Sequence, residues 1–211
     1  MRYKLLIFDF DGTIADTFSI GVAILNRLSA RYLFHNTDKN TIAHLREETP
    51  AEMIHRLGIP LLLLPFFLRR ARKEMYRQMA SIHPFEGIRI TIKELHEKGI
   101  PLGILTTNAR KTVSEFLNEH NMEWFDFIAT SSIIGSKYRR LKSIIHRHKL
   151  DPSQVLYIGD DTRDITDSRK ASIPVAAVCW GYRSRDLLSK YKPDYLVETP
   201  GDLLTICLSD H

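Results

Sequence analysis

Lys4-Leu5-Leu6-Ile7-Phe8-Asp9-Phe10-Asp11-Gly12-Thr13 is the stretch that decides how this chain is read. Lys4 to Phe8 reads as a short buried strand. It delivers two carboxylates, two residues apart, where the strand must end. In extended chain that spacing places both on one face. Gly12 then allows a sharp turn. Two adjacent acids repel each other and resist joint ionisation unless a cation is near. With a divalent ion, one can remain an ionised nucleophile while the other carries a proton to a leaving group. A strand ending in an ordinary Asp-Gly turn fits the same residues, so the rest of the chain must decide.

Working outward, Phe18, Val22, Leu25, Leu28 and Tyr32 recur at helical spacing and predict an amphipathic helix. From about Ala15 to Pro84 no strand is expected. Thr41 to Leu57 reads as a second helical region, interrupted near Thr49-Pro50. Pro65 opens a third, with Phe67, Ala71, Met75 and Met79 on one face. After His83-Pro84-Phe85-Glu86-Gly87 the rhythm changes. Strands are expected at Ile100–Thr106, Phe127–Thr130, Val155–Ile158, Pro174–Val178 and Tyr195-Leu196. Helices are expected at Arg89–Lys98, Lys111–His120 and Tyr138–Lys149, with another from about Arg163. In the helix at 138–149, Leu141, Ile144, Ile145 and His148 should face inward. Alternating strands and helices predict an α/β fold, a Rossmann-like parallel sheet with helices on both faces. Residues 1–14 and 85–211 would form this core, and residues 15–84 an inserted α-helical cap domain. The insertion follows directly after the two acids, above the strand ends where such sheets bind ligands.

Four strand ends then offer polar groups: Asp9 and Asp11; Thr106, Thr107 and Asn108; Gly135-Ser136-Lys137; and Asp160, Asp161 and Asp164. In a parallel sheet these converge on one edge. Acids of the first and fourth ends can hold Mg²⁺. Thr106 can bond a phosphoryl oxygen, backbone N–H groups around Thr107 and Asn108 can add donors, and Lys137 can neutralise phosphate and nucleophile. Singly, each group has a plainer reading: a helix cap for Thr106–Asn108, a solvated lysine, a structural pair between Arg163 and its neighbouring acids. It is the order and spacing of all four that argue for chemistry.

That order resembles the four motifs of the haloacid dehalogenase superfamily, over almost the whole chain. The resemblance is closest to its phosphoglycolate phosphatase-like branch, which carries a helical cap after the first motif. It implies that Asp9 attacks phosphorus and that Asp11 protonates the leaving oxygen and then activates water. Mg²⁺ would be held by Asp9, the main-chain carbonyl of Asp11, and Asp160. Asp164, and Asp161 beside it, would hold water ligands of the ion. Thr106 and Lys137 would grip the phosphoryl group. The acid at position 11 marks a phosphatase rather than a dehalogenase, which forms an alkyl ester and has no alkoxide to protonate. Two departures stand out. Tyr138 follows Lys137 where many relatives have proline, and Asp167 stands where relatives often have a small residue.

The implied activity is that of a Mg²⁺-dependent phosphatase acting on a small phosphorylated metabolite, phosphoglycolate being the single best substrate. A phosphosugar mutase using the same aspartyl-phosphate, or a non-catalytic phosphate-binding regulatory protein on this scaffold, are the alternatives. In the cap, Arg46 can pair a substrate carboxylate or simply the adjacent Glu47 and Glu48. Arg69, Lys73 and Arg77 form a basic face that is either solvated or turned to the substrate. His35, His44, His55 and His83 show no ligand spacing.

Composition narrows the class. The chain has 211 residues, a net charge of +5 and two cysteines, Cys179 and Cys207, without metal-site spacing. Free thiols and a cytoplasmic setting are expected, as monomer or homodimer. No stretch is apolar for long enough to cross a membrane, no signal-peptide pattern is found, and no nucleic-acid motif accompanies the modest positive charge.

Overall fold

A computed structural model describes residues 2–32, 44–131 and 137–208. His35, Gly135 and Ser136 therefore lie outside the described residues, as does the start of the expected 41–57 region.

Six strands form one parallel sheet: β1 Leu5–Phe8, β2 Leu102–Thr106, β3 Phe127–Thr130, β4 Val155–Gly159, β5 Val175–Val178 and β6 Tyr195–Val197. Their spatial order is β3-β2-β1-β4-β5-β6, every neighbouring pair being parallel. β1 lies between β2 and β4, with Leu6 in register with Leu102 on one side and Leu156 on the other. All four β1 residues are fully buried, as expected of an apolar strand covered on both faces. The chain moves outward one way from β1 through β3, then returns to β4 on the opposite side. The resulting crevice at the carboxyl ends of β1 and β4 is the ligand position of such sheets.

Side-chain alternation divides the core in two. Leu6, Phe8, Leu102, Ile104, Leu156 and Ile158 point to one face. There they meet Ile88, Ile92 and Leu95 of α4 (Ile88–Glu97), Val113 and Phe116 of α5 (Arg110–Glu119), and Leu203 and Cys207 of α9 (Asp202–Leu208). Leu5, Ile7, Leu105, Val155 and Tyr157 point to the other face. Their partners are Leu141, Ile144 and Ile145 of α6 (Lys137–His148), Ile165 of α7 (Thr162–Lys170) and Leu188 of α8 (Arg185–Lys190). His148, expected to face inward, is exposed and lies against the Phe127 ring. Helices α8 and α9 were not anticipated. α8 has only six residues, too few to present a helical period. Both cysteines are free thiols.

The segment between β1 and β2 is helical, with α1 (Phe18–Tyr32), α2 (Pro50–Arg56) and α3 (Leu64–Arg77). The interruption near Thr49-Pro50 is a capping box. The Thr49 hydroxyl accepts from the Glu52 N–H, and the Glu52 carboxylate accepts from the Thr49 N–H. Ile24, Leu28, Leu57, Ile59 and Phe67 make a separate small core. Tyr32, expected on the apolar face of α1, is 44% exposed, while Ile24 is buried in its place. The two chain passages into and out of this unit run side by side. Ala15 bridges Pro84, the Asp16 N–H donates to the His83 carbonyl at 2.9 Å, and the Phe85 N–H donates to that of Ile14 at 3.0 Å.

Leu6 is central to this arrangement. Leu6→Ala is expected to lower the unfolding free energy by about 2–5 kcal/mol, through lost burial and an unfilled cavity between β2 and β4. Urea denaturation measures it, and a change below about 1 kcal/mol would contradict the packing described.

Candidate active site

Asp9 continues the ladder beyond β1, its N–H donating to the Ile158 carbonyl at 2.8 Å. Its Oδ1 accepts from the Phe10 N–H at 2.8 Å, and its Oδ2 from Lys137 Nζ at 2.6 Å. Gly12 has φ 74°, a left-handed conformation. A Cβ there would also run into the Asp160 carboxylate and the Tyr182 ring. The turn is thus held tightly against the end of β4, where the Thr13 hydroxyl donates to Asp160 Oδ1 at 3.4 Å.

The loop after β5 closes the other side. The Tyr182 N–H donates to Asp160 Oδ2 at 2.6 Å. Gly181 presses so closely on Asp160 and the Gly12 carbonyl that no side chain fits. Trp180 Nε1 donates to the Thr13 carbonyl at 3.1 Å.

The structure separates the two acids that follow Asp160. Asp161 is the N-cap of α7, accepting from the Arg163 N–H at 2.9 Å. It also receives Arg163 Nε at 3.1 Å and Arg183 Nε at 3.0 Å. Burial alone would raise its pKa, but Arg163 and Arg183 outweigh burial and hold it at about 2. Asp164 turns toward the sheet. Its Oδ1 accepts from Lys137 Nζ at 2.7 Å and the Tyr157 hydroxyl at 3.3 Å, and its Oδ2 from the Asp161 N–H at 3.1 Å.

Asp9, Asp160 and Asp164 each offer a carboxylate oxygen, all within 4.8 Å of one another. Burial is the main cause that lifts Asp160 well above the ordinary carboxylate range, and Asp164 and Asp9 add to it. Burial likewise raises Asp9 to about 7, against the pull of Lys137 and with the push of Asp164. Lys137 would be depressed by burial, but Asp164 and Asp9 hold its pKa well above normal. One ammonium pairs with two of these three carboxylates, Asp9 and Asp164, and an all-oxygen donor set of this charge suits a hard divalent cation. Burial raises Asp11 to about 6, offset by Thr17, Lys137 and Asn108. Its Oδ2 accepts from Asn108 Nδ2 at 2.7 Å. Its Oδ1 is buried, with the Thr17 hydroxyl, itself 3.0 Å from the Tyr182 hydroxyl, as the group that acts on the carboxylate from that side.

The other expected residues fall as follows. Thr106 is fully buried at the end of β2, and its Oγ1 accepts from the Asn108 N–H at 3.0 Å. That N–H is therefore occupied, and Asn108 reaches the site by its side chain. Thr107 is half-buried beside it. The Arg46 guanidinium lies over the Phe18 ring at 4.6 Å, while Glu48 pairs with Arg56 at 2.7 Å. Arg69, Lys73 and Arg77 are exposed. Tyr138 and Asp167 lie outside the cluster, Asp167 near Lys170 at 3.8 Å. Sequence reasoning missed Gly181, Tyr182 and Arg183. They follow a strand as the four polar motifs do, and continuing the same rule to a fifth strand end would have found them.

Arg183 is buried and joins two parts of the chain. Besides Asp161, it donates through Nη1 to the Leu45 carbonyl at 2.7 Å. Arg183→Ala is expected to cost about 3 kcal/mol in urea unfolding, the low end for a broken buried pair because Arg163 still meets Asp161. Arg163, with 57% of its side chain exposed, should cost about 1 kcal/mol or less when changed to Ala. Equal losses would contradict this division.

Comparison with known proteins agrees with the geometry. A family model for haloacid dehalogenase-like hydrolases matches residues 6–178. A phosphoglycolate phosphatase of Synechococcus elongatus is 31% identical over 202 residues, covering 95% of each chain. Pyrophosphatase PpaX of Bacillus cereus is 26% identical over 98% of this chain and 97% of its own. Among solved structures, a haloacid dehalogenase-like hydrolase from Bacteroides fragilis superposes with a TM-score of 0.81 at 28% identity, over 96% of this chain and 100% of that one. The order of the strands, the acids at their ends and these matches lead to one assignment: the chain belongs to the haloacid dehalogenase-like hydrolases, and within them to the phosphatases.

Proposed function

We propose that this chain is a Mg²⁺-dependent phosphatase that hydrolyses a small phosphorylated metabolite, phosphoglycolate in the first instance, through an aspartyl-phosphate on Asp9. The observation that carries this reading is the unlike surroundings of the two N-terminal acids. Asp9 sits against the Lys137 ammonium and beside Asp160 and Asp164. Asp11 has neutral groups beside it, accepting from the Asn108 amide, while the Lys137 ammonium bonds Asp9 instead. Environments that push two acids apart in this way suit one as nucleophile and the other as proton carrier.

Asp9, Asp160 and Asp164, with the main-chain carbonyl of Asp11, would hold the ion. Bound Mg²⁺ would neutralise the carboxylates and the phosphoryl oxygens, favouring the charged form of Asp9. Asp11's carboxylate stands outside that trio, so the upward push of burial persists there and it can carry a proton near neutrality.

Asp9 attacks phosphorus and the ester P–O bond breaks. The electron pair leaves on the ester oxygen, which takes the proton from Asp11. The Asp11 carboxylate then accepts a proton from water as the water oxygen attacks phosphorus. The acyl–phosphate bond breaks, orthophosphate leaves and Asp9 is regenerated. Throughout, Lys137 and the Thr106 hydroxyl hold phosphoryl oxygens. The Thr106 oxygen already accepts from Asn108, which leaves its proton free to be donated. Thr107 would contribute to the same phosphoryl cradle, and Arg46, which lies over Phe18, would meet the substrate as it enters. Residues 15–84 act as a cap over the core of residues 1–14 and 85–211, excluding bulk water during phosphoryl transfer.

The test is release of orthophosphate from phosphoglycolate by the purified chain, with and without Mg²⁺. Asp9→Asn and removal of the cation with a chelator are each expected to abolish release. Wild-type turnover by Asp9→Asn would refute the assignment of the nucleophile.

Asp11→Asn should slow hydrolysis of alkyl phosphates by about 10²–10⁴-fold, the usual worth of general acid–base catalysis. The same change should slow p-nitrophenyl phosphate far less, because its leaving group needs no proton. Equal losses on both esters would remove the acid role.

A further inference from the structure

Arg72 is a residue that neither the motifs nor the basic face at Arg69, Lys73 and Arg77 singled out. It begins a stripe at helical spacing, continued by Met75 and Tyr76 on α3 and by Met79 just beyond its end. That stripe faces the sheet. Met75 packs against the core on the α4–α5 side, Met79 is buried in it, and the Tyr76 hydroxyl donates to Glu115 of α5 at 3.4 Å. Met75 and the Tyr182 hydroxyl pack together against Gly21, so Arg72, one turn along the same stripe, lies on the side of the helical unit that faces the strand ends, and Asp11 pushes its pKa up against the lowering by burial.

Arg72 is half-buried, and among the described residues its Nη2 is buried with no hydrogen-bond partner and no carboxylate is paired with it. Other arginines of this unit are either engaged or in water: Arg27 and Arg70 meet Glu74, Arg56 meets Glu48, Arg46 stacks on Phe18, and Arg31, Arg69 and Arg77 are exposed. A buried charged donor left empty is costly, and a guanidinium fork matches a carboxylate or phosphate by two parallel hydrogen bonds. A partner arriving with the substrate would meet it on the side of Asp11, where the leaving group departs.

We propose that Arg72 is a specificity-determining residue that pairs an oxyanion carried by the leaving group, so that the preferred substrates are short phosphate esters or anhydrides whose leaving group is itself anionic. This rests on the phosphatase reading above. The oxyanion has two sources of the same chemistry, the carboxylate of a phosphorylated hydroxy acid and the second phosphate of pyrophosphate.

The experiment compares kcat and KM of wild type, Arg72→Gln, Arg72→Lys and the exposed neighbour variant Lys73→Gln. The substrates are phosphoglycolate, pyrophosphate and ethyl phosphate, the last being phosphoglycolate without its carboxylate. Wild type should prefer one anionic substrate to ethyl phosphate. Arg72→Gln should lower kcat/KM for that substrate by about 10–100-fold, the worth of a hydrogen bond to a charged group. The loss should fall mainly on KM, since the contact is made before and during transfer. Ethyl phosphate turnover should stay near wild type. Arg72→Lys should recover part of the loss, keeping charge without the fork, and Lys73→Gln should change little. The anionic substrate that suffers identifies the source. Equal losses on all three substrates, or none, would overturn the inference while leaving the phosphatase reading intact. A wild type that hydrolyses none of them with Mg²⁺ would overturn both.

Discussion

Three carboxylates drawn within 4.8 Å of one another, around a single lysine and out of water, are the constraint on which this structure depends. Such a group is unfavourable by itself, because burial and mutual repulsion both oppose its charge. The fold is arranged to hold it regardless. Asp9 is fixed by a strand locked between two neighbours, Asp160 by the backbone of the β5 loop, and Asp164 by the first turn of α7. Each of these supports is a main-chain element with little freedom. The acids therefore cannot relax apart to relieve the repulsion, and the site is left with a strong demand for positive charge. Lys137 meets part of that demand. The proposed cation would meet the rest.

The same constraint accounts for the glycines nearest the site. Gly12 and Gly181 stand where the turn after β1 and the loop after β5 close upon Asp160 from both sides. The backbone approaches so closely that the carboxylate's two oxygens are bonded by different segments, Thr13 on one and Tyr182 on the other. A carboxylate tied at both oxygens keeps one orientation, which is what a metal ligand or an electrostatic anchor requires.

The helical unit is connected differently. Its own small core, around Ile24, Leu28, Leu57 and Phe67, is separate from the two cores of the sheet. It meets the rest through paired chain passages at Ala15 and Pro84, through hydrogen bonds from Arg183 to Leu45 and from Ser184 to Arg46, and through the α3 stripe. These contacts mix main-chain hydrogen bonds with apolar packing at Met75, Met79 and Phe18. Selectivity can be placed on such a unit without disturbing the acids beneath it, since changes in α3 reach the strand ends by side chains alone.

Sequence alone determined the fold class, the strand ends and the acids they carry. Apolar runs, helical spacing and a carboxylate pair after a strand are local properties that survive without knowledge of distant neighbours. Asp9, Asp11, Lys137, Asp160 and Asp164 were legible for that reason. Tertiary structure alone decided which of Asp161 and Asp164 joins the cluster, because the helix cap and two arginines compete for the first and leave the second facing Lys137. It also decided that Arg183, from a strand end whose loop had not been followed, is the buried link to the helical unit. And it decided that Arg72, unlike the exposed basic face beside it, is half-buried with a guanidinium nitrogen shielded from water. A helix's sequence tells which residues share a face, but which face is turned inward depends on what the rest of the chain packs against it.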